Sequence, residues 1–143
     1  MSTETLLFVY GSLRKQGSHN HLLGEATWIS EGFTKGKLFL IDWYPGMILS
    51  LQESKQDDNP EIQQDWVYGD IYKISSYMFL SLDSYEGDAY DRIFVLVRDR
   101  NNNIHQAQTY VYNQNIDDKK NIQPADWIEY IKTHEIPKPD QFG

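Results

Sequence analysis

Apolar and polar residues alternate with different periods along the chain, and the changes of period divide it into elements. LLFVY (6–10) is apolar almost throughout and strand-favouring, so it reads as a strand covered on both faces and ended by Gly11. KLFLI (37–41) is a second such run, and it follows an alternating stretch from Trp28 to Phe33. Tyr44-Pro45-Gly46-Met47 has the residues of a turn and is expected to bend the chain before MILSL resumes as a strand. WVYGDIYKI (66–74) alternates as a strand does. Next, Phe79 and Leu82, flanked by Met78 and Tyr85, repeat at the spacing of a half-buried helix over Ser75–Glu86, with Ser75 or Ser76 as cap and Gly87 as stop. DRIFVLVRD (91–99) and HQAQTYVYN (105–113), joined by RNNNI, predict a hairpin with an Asn-rich turn. Pro124 is placed to open a last helix, ADWIEYIKTHE. Gln52–Asp65 has a single strongly apolar residue and reads as a solvated loop, while the C-terminal IPKPDQFG reads as an extended tail.

Strands with one helix in the middle and one at the end predict an α+β fold with a strongly bent or closed sheet. The spacing alone leaves a closed barrel and an open sheet carrying helices on one face as alternatives. At 143 residues the chain is expected to be a single domain, with a core over about 5–134 and a tail at 135–143. A formal net charge of −8 repels phosphate backbones and anionic lipid, so neither nucleic acid nor a membrane is an expected partner. Small molecules remain as ligands. With no cysteine there is no disulfide framework, thiolate nucleophile or cysteine metal site, which fits a cytoplasmic location. MSTETLLFVYGS lacks the basic flank and apolar length of a signal peptide or span. The four histidines have no His-Glu-x-x-His spacing, so no metal site is expected. Ser12 lacks the Gly-x-Ser-x-Gly pattern of a nucleophile elbow, and Gly11 and Gly17 lack the Lys-Ser/Thr of a phosphate loop.

Two stretches stand out as candidate chemistry. At roughly 100° per residue, Glu86 falls between the directions of Phe79 and Leu82, so its carboxylate points toward the apolar face of the predicted helix. Apolar neighbours, the negative helix end and the carboxylates Asp83 and Asp88 would each raise its pKa, which suits general acid/base work. A fraying last turn would instead release it to solvent. The second stretch is Val9 to Leu23, where a buried strand runs into Gly11-Ser12 and a polar loop. Such a loop presents successive backbone amides to an anion, or is simply a turn.

Taken together, Tyr10-Gly11-Ser12-Leu13-Arg14, Gly17, Asn20-His21-x-Leu23, Tyr44-Pro45-Gly46, Val67-x-Gly69-Asp70-x-Tyr72, Leu82-Asp83-x-x-Glu86-Gly87 with Tyr90 and Arg92, and Tyr110-Val111-Tyr112 resemble the γ-glutamylcyclotransferase-like proteins. Within that family the pattern is similar to the branch of γ-glutamylamine cyclotransferase and the plant avirulence-induced (AIG2-like) proteins. The resemblance runs from about residue 6 to Trp127 and implies a small mixed β-barrel with flanking helices. It further implies a cofactor-independent, metal-free enzyme that cleaves a γ-glutamyl amide by attack of the substrate's own α-amine, giving 5-oxoproline and a free amine. By residue match, Glu86 would be the general acid/base. Tyr10, Gly11, Ser12 and Leu13 would hold the substrate's carboxylate, and Tyr90 and Tyr112 would wall the pocket. The implied partner is a small γ-glutamyl substrate, with the protein a monomer or homodimer. A non-catalytic binding or protein-interaction module built on the same cavity stands as the alternative.

Overall fold

The computed structural model describes residues 4–49 and 66–134. The loop expected over 52–65 and the tail expected over 135–143 lie outside the described residues. Strands β1 (Glu4–Val9), β2 (Thr27–Leu40), β3 (Pro45–Leu49), β4 (Trp66–Ser75), β5 (Tyr90–Asp99), β6 (Ile104–Tyr112) and β7 (Lys120–Ile122) are joined by helices α1 (Phe79–Glu86) and α2 (Trp127–Thr133). Five strands close on themselves in the order β2-β4-β1-β6-β5, and the ring is completed where Gly32 and Phe33 of β2 pair with Asp99 and Arg98 of β5. The β1–β6 pairing is parallel and the others in the ring are antiparallel, so the barrel is mixed. A Cβ on Gly32 would lie 2.8 Å from Val97 and 2.9 Å from the Arg98 carbonyl, which explains the glycine at the seam.

Beyond the barrel, the far half of β2 carries β3 on one edge and β7 on the other, with Leu38 opposite both Met47 and Ile122. Alternation along β1 builds two cores at once. Phe8 and Tyr10 join Leu38, Met47, Ile71, Val97 and Trp127 of α2. Leu7 and Val9 face the other way and join Leu23, Tyr72, Tyr110 and the α1 residues Phe79 and Leu82. The continuous apolar run of β1 thus reflects burial on both faces. Leu82, at 2% exposure, anchors α1 and contributes roughly 2 kcal/mol through burial.

Several boundaries differ from those read in the sequence. Trp28–Phe33 and 37–41 fuse into one strand, with a register shift between Trp28 and Ser30 that lets it curve. The bend lies at residues 41–44, where the amides of Ile41 and Asp42 both donate to the Tyr44 carbonyl (3.1 and 3.2 Å). Pro45 and Gly46 therefore open β3 and do not form the turn; a proline is tolerated as the first residue of a strand because it has no N–H to give the ladder. The middle helix is α only from Phe79, after a 3-10 turn over Ser76–Met78, and neither Ser75 nor Met78 supplies a side-chain cap. Gly87 does end it, at φ 81° with its amide on the Asp83 carbonyl. Pro124 does not open α2, because Ala125 is still extended and bridged to Val67; Asp126 caps the helix by accepting from the Glu129 amide. Among the described residues no helix is long and apolar enough to cross a membrane.

Candidate active site

The loop after β1 is held from below by a buried carboxylate. Asp70 of β4, 3% exposed, accepts from Arg14 Nε (3.1 Å) and the Lys15 amide (2.9 Å) on one oxygen and from Trp28 Nε1 (3.2 Å) on the other. Arg14 also donates to Asp126 at the start of α2 (2.9 Å), and Asn20 bridges the Leu13 carbonyl (2.9 Å) to the Tyr72 hydroxyl (3.0 Å). Within the loop, the Arg14 amide donates to the Gly11 carbonyl (3.0 Å) and the His19 amide to the Ser12 carbonyl (2.8 Å). A Cβ on Gly11 would lie 2.8 Å from the Pro45 ring, so only glycine permits this approach to β3. Among the described residues the amides of Gly11, Ser12 and Leu13 donate to no loop or turn acceptor.

Between this loop and the end of α1 lies a cavity of about 150 Å³. Gly11, Ser12 and Leu13 line one side, Glu86 and Tyr85 another, and Trp43, Tyr44 and Tyr90 complete the wall. Tyr10 and Tyr110 close its inner end, the Tyr10 hydroxyl donating to the Tyr110 carbonyl (2.7 Å) and accepting from the Met47 amide (3.1 Å). The Tyr90 hydroxyl donates to the Pro45 carbonyl (2.9 Å), and the Tyr85 hydroxyl pairs with Ser12 Oγ (2.9 Å).

Glu86 sits among these hydroxyls with no side-chain hydrogen bond or ion pair of its own among the described residues. Burial, and after it the negative charge of Asp83, pushes its carboxyl from 4.5 up to about 7. Burial likewise raises Tyr10, Tyr44, Tyr85, Tyr90 and Tyr110, with the Glu86 charge as a further cause at each, so the ring around the carboxylate stays protonated. Asp83, one helical turn before Glu86, is itself well partnered. Arg92 donates to both its oxygens (3.0 and 3.2 Å), and the Tyr110 hydroxyl donates to one of them (2.5 Å).

The structure thus gathers Tyr10, Gly11, Ser12, Leu13, Tyr90 and Glu86 around one cavity. Tyr112 is placed differently: it is outside the cavity lining and packs edge-on against Tyr90, ring centres 5.4 Å apart, with its Cβ against Gly46. Of the causes anticipated for the raised Glu86 pKa, burial and Asp83 act, whereas Asp88 and the helix end are not among them. Trp43 and Tyr85 line the cavity without having been singled out in the sequence. Tyr85 had a local signal, adjacency to Glu86 in the last helical turn; Trp43 had only its place beside the Tyr44-Pro45 bend. No group of three potential metal-ligating side chains occurs among the described residues.

The family model described as gamma-glutamyl cyclotransferase, AIG2-like, matches residues 7–129. Among curated proteins the chain is similar to YkqA of Bacillus subtilis (strain 168), whose name carries a provisional gamma-glutamylcyclotransferase assignment. They are 30% identical over 82 residues, taking in 57% of this chain and 26% of YkqA, so the chain spans well under half of that relative. The crystal structure of YkqA superposes with a TM-score of 0.68 at 28% identity, covering 89% of this chain and 40% of that one. An AIG2-like protein from Mus musculus shares the fold over 96% of this chain and 98% of its own, with a TM-score of 0.70 at 17% identity.

Proposed function

The chain belongs to the γ-glutamyl cyclotransferase, AIG2-like family, and from that premise we propose that it cleaves a γ-glutamyl amide by cyclisation, releasing 5-oxoproline and a free amine. The observation that carries this reading is the Glu86 carboxyl, without a hydrogen-bond or ion-pair partner among the described residues and brought to about 7, facing a cavity also lined by Gly11, Ser12 and Leu13, whose amides donate to no loop or turn acceptor among those residues.

In the proposed step those amides receive the α-carboxylate of the γ-glutamyl group. The short cavity then curls the chain until the α-nitrogen meets the γ-carbonyl carbon. Orientation of this kind is worth up to roughly 7 to 11 kcal/mol of the barrier. The new N–C bond forms as the carbonyl electron pair moves onto oxygen, and the Glu86 carboxylate takes the proton from the α-nitrogen. On collapse the amide C–N bond breaks, and Glu86 returns that proton to the departing nitrogen. No water is consumed, and Glu86 ends as it began. A carboxyl titrating near neutrality serves both directions, a contribution on the order of 10² to 10⁴ in rate. Tyr90, tied to the Pro45 carbonyl, and Tyr112 packed on it keep their part of the wall rigid. The step calls for neither a metal nor an organic cofactor, and the ligand is a small molecule.

Cyclisation is separated from hydrolysis by its nucleophile. With a γ-glutamyl amide, mass spectrometry is expected to find 5-oxoproline and the amine in equal amounts, and the Nα-acetylated substrate is expected to be inert. Glutamate in place of 5-oxoproline, or turnover of the acetylated compound, would contradict the proposal.

A further inference from the structure

Asp83 joins two cavities. It lines a second, outer cleft between the start of β1, α1 and the β5–β6 ladder, together with Glu4, Leu80, Arg92 and Gln108. One of its oxygens takes the hydroxyl proton of Tyr110, which is buried and lines the inner cavity beside Glu86. Arg92 lines the outer cleft alone, yet it is the hub of this junction. Its guanidinium lies over the Phe79 ring, 3.9 Å from the centre, and forks onto both oxygens of Asp83, so β5 grips α1 at two positions one turn apart. The remaining arm donates to Gln108 of β6 (2.7 Å), and Arg92 stands opposite Tyr110 in the β5–β6 ladder. Nε of Arg92 and the Tyr110 hydroxyl meet on the same Asp83 oxygen.

Resting on the cyclotransferase reading, we infer that Arg92 is a positioning residue for the proton transfer at Glu86: from outside the cavity it holds Asp83 in place and offsets the charge of that acid, one helical turn before the acid/base. The other groups around Glu86 leave this pair as the source of its local field. Tyr10 at the end of β1, Tyr44 in the 41–44 bend, Tyr85 of α1, Tyr90 of β5 and Tyr110 of β6 are all kept protonated, and Glu4, on the outer cleft, has Lys73 within 3.8 Å. Asp83 is the negative group that acts on Glu86, and Arg92 is the cation paired with it. Without the guanidinium the full charge of Asp83 falls on Glu86, which then holds its proton more tightly. The carboxylate that accepts from the α-nitrogen would form only at higher pH. Because the two side chains are 31% and 46% exposed, solvent screens part of the effect, and a shift of about half a pH unit is expected.

The test follows two quantities against pH, the acidic limb of kcat/KM for 5-oxoproline release and the midpoint of the Glu86 carboxyl ¹³C resonance. Arg92→Met is expected to move both upward by about half a unit, and Arg92→Lys, which keeps the charge and loses the fork, by clearly less. With Asp83→Asn already in place, Arg92→Met should add nothing, because a guanidinium released from its carboxylate turns to solvent. A merely structural role would lower stability and leave both midpoints where they are. Unmoved midpoints in folded Arg92→Met, a downward move, or an equal shift with and without Asp83 would overturn the inference. Should Arg92→Met not fold, Arg92→Gln, which still reaches Asp83 and Gln108 but carries no charge, is judged by the same criteria. If wild type released no 5-oxoproline, the cyclotransferase reading would fall, and the ¹³C midpoint would still decide whether Arg92 governs Glu86.

Discussion

Asp70 and Glu86 are both acidic side chains drawn into the protein, one beneath the loop after β1 and the other across the cavity from it, yet they are treated oppositely. Around Asp70 every direction is filled: the Arg14 guanidinium, the Lys15 amide and the Trp28 indole converge on its two oxygens. Around Glu86 there are tyrosine rings and a second acid, and no donor bonds to it among the described residues. The difference separates structure from chemistry. A buried carboxylate with a guanidinium, an amide and an indole N–H on its oxygens holds the backbone in place. One that is desolvated and left without a partner is poised to exchange a proton, at a cost to stability that the rest of the fold must offset.

The contrast is broken most strongly at Glu86. Glu86→Gln keeps the shape and removes the titrating group, so kcat for 5-oxoproline release is expected to fall by roughly 10² to 10⁴, with the circular dichroism spectrum unchanged. Asp70→Asn should act in the other currency. It leaves Arg14, 6% exposed, with Asp126 as its remaining carboxylate, and the cost expected in denaturant unfolding is about 3 kcal/mol. KM should rise as the loop loses its support.

A third measurement sharpens the comparison through pH. Because the folded-state pKa of Glu86, about 7, lies above the 4.5 of the free side chain, the folded protein holds the extra proton between those values, and stability falls as pH rises through that window. The ionised form therefore costs up to about 3 kcal/mol above pH 7 and nothing below 4.5. Glu86→Gln should accordingly be more stable than wild type at pH 8 and equal to it near pH 4.5; equal stability at both would mean Glu86 is not desolvated. The smallest effect is expected from Asp83→Asn. It removes a negative neighbour, so the Glu86 titration and the acidic limb of the rate profile should move to lower pH; an upward move would assign Asp83 a different role.

Much of this site was legible in the sequence because it depends on short-range patterns. The spacing of Phe79, Leu82 and Glu86 places the carboxylate on the inner side of α1 however the helix starts, and Gly87 fixes where it ends. The apolar run that ends β1 announces burial on both faces, which the two cores confirm. What local pattern did not show is long-range assembly. Nothing near Asp70 in sequence points to Arg14, fifty-six residues away, or to Trp28, forty-two residues away. Three residues of β7 pair with β2 without any strand-like run of their own. Trp43 reaches the cavity only because the chain bends at residues 41–44, one step earlier than the proline suggested. The family resemblance supplied the barrel, which periodicity alone had left beside an open sheet.

The central claim is that Glu86, which has no hydrogen-bond or ion-pair partner among the described residues, titrates near neutrality. It is tested most directly by following the ¹³C resonance of the Glu86 side-chain carboxyl with pH, assigned by its absence in Glu86→Gln. A midpoint at about 7 is the expected result. A midpoint near 4.5 would show a solvated, ordinary glutamate and contradict the account.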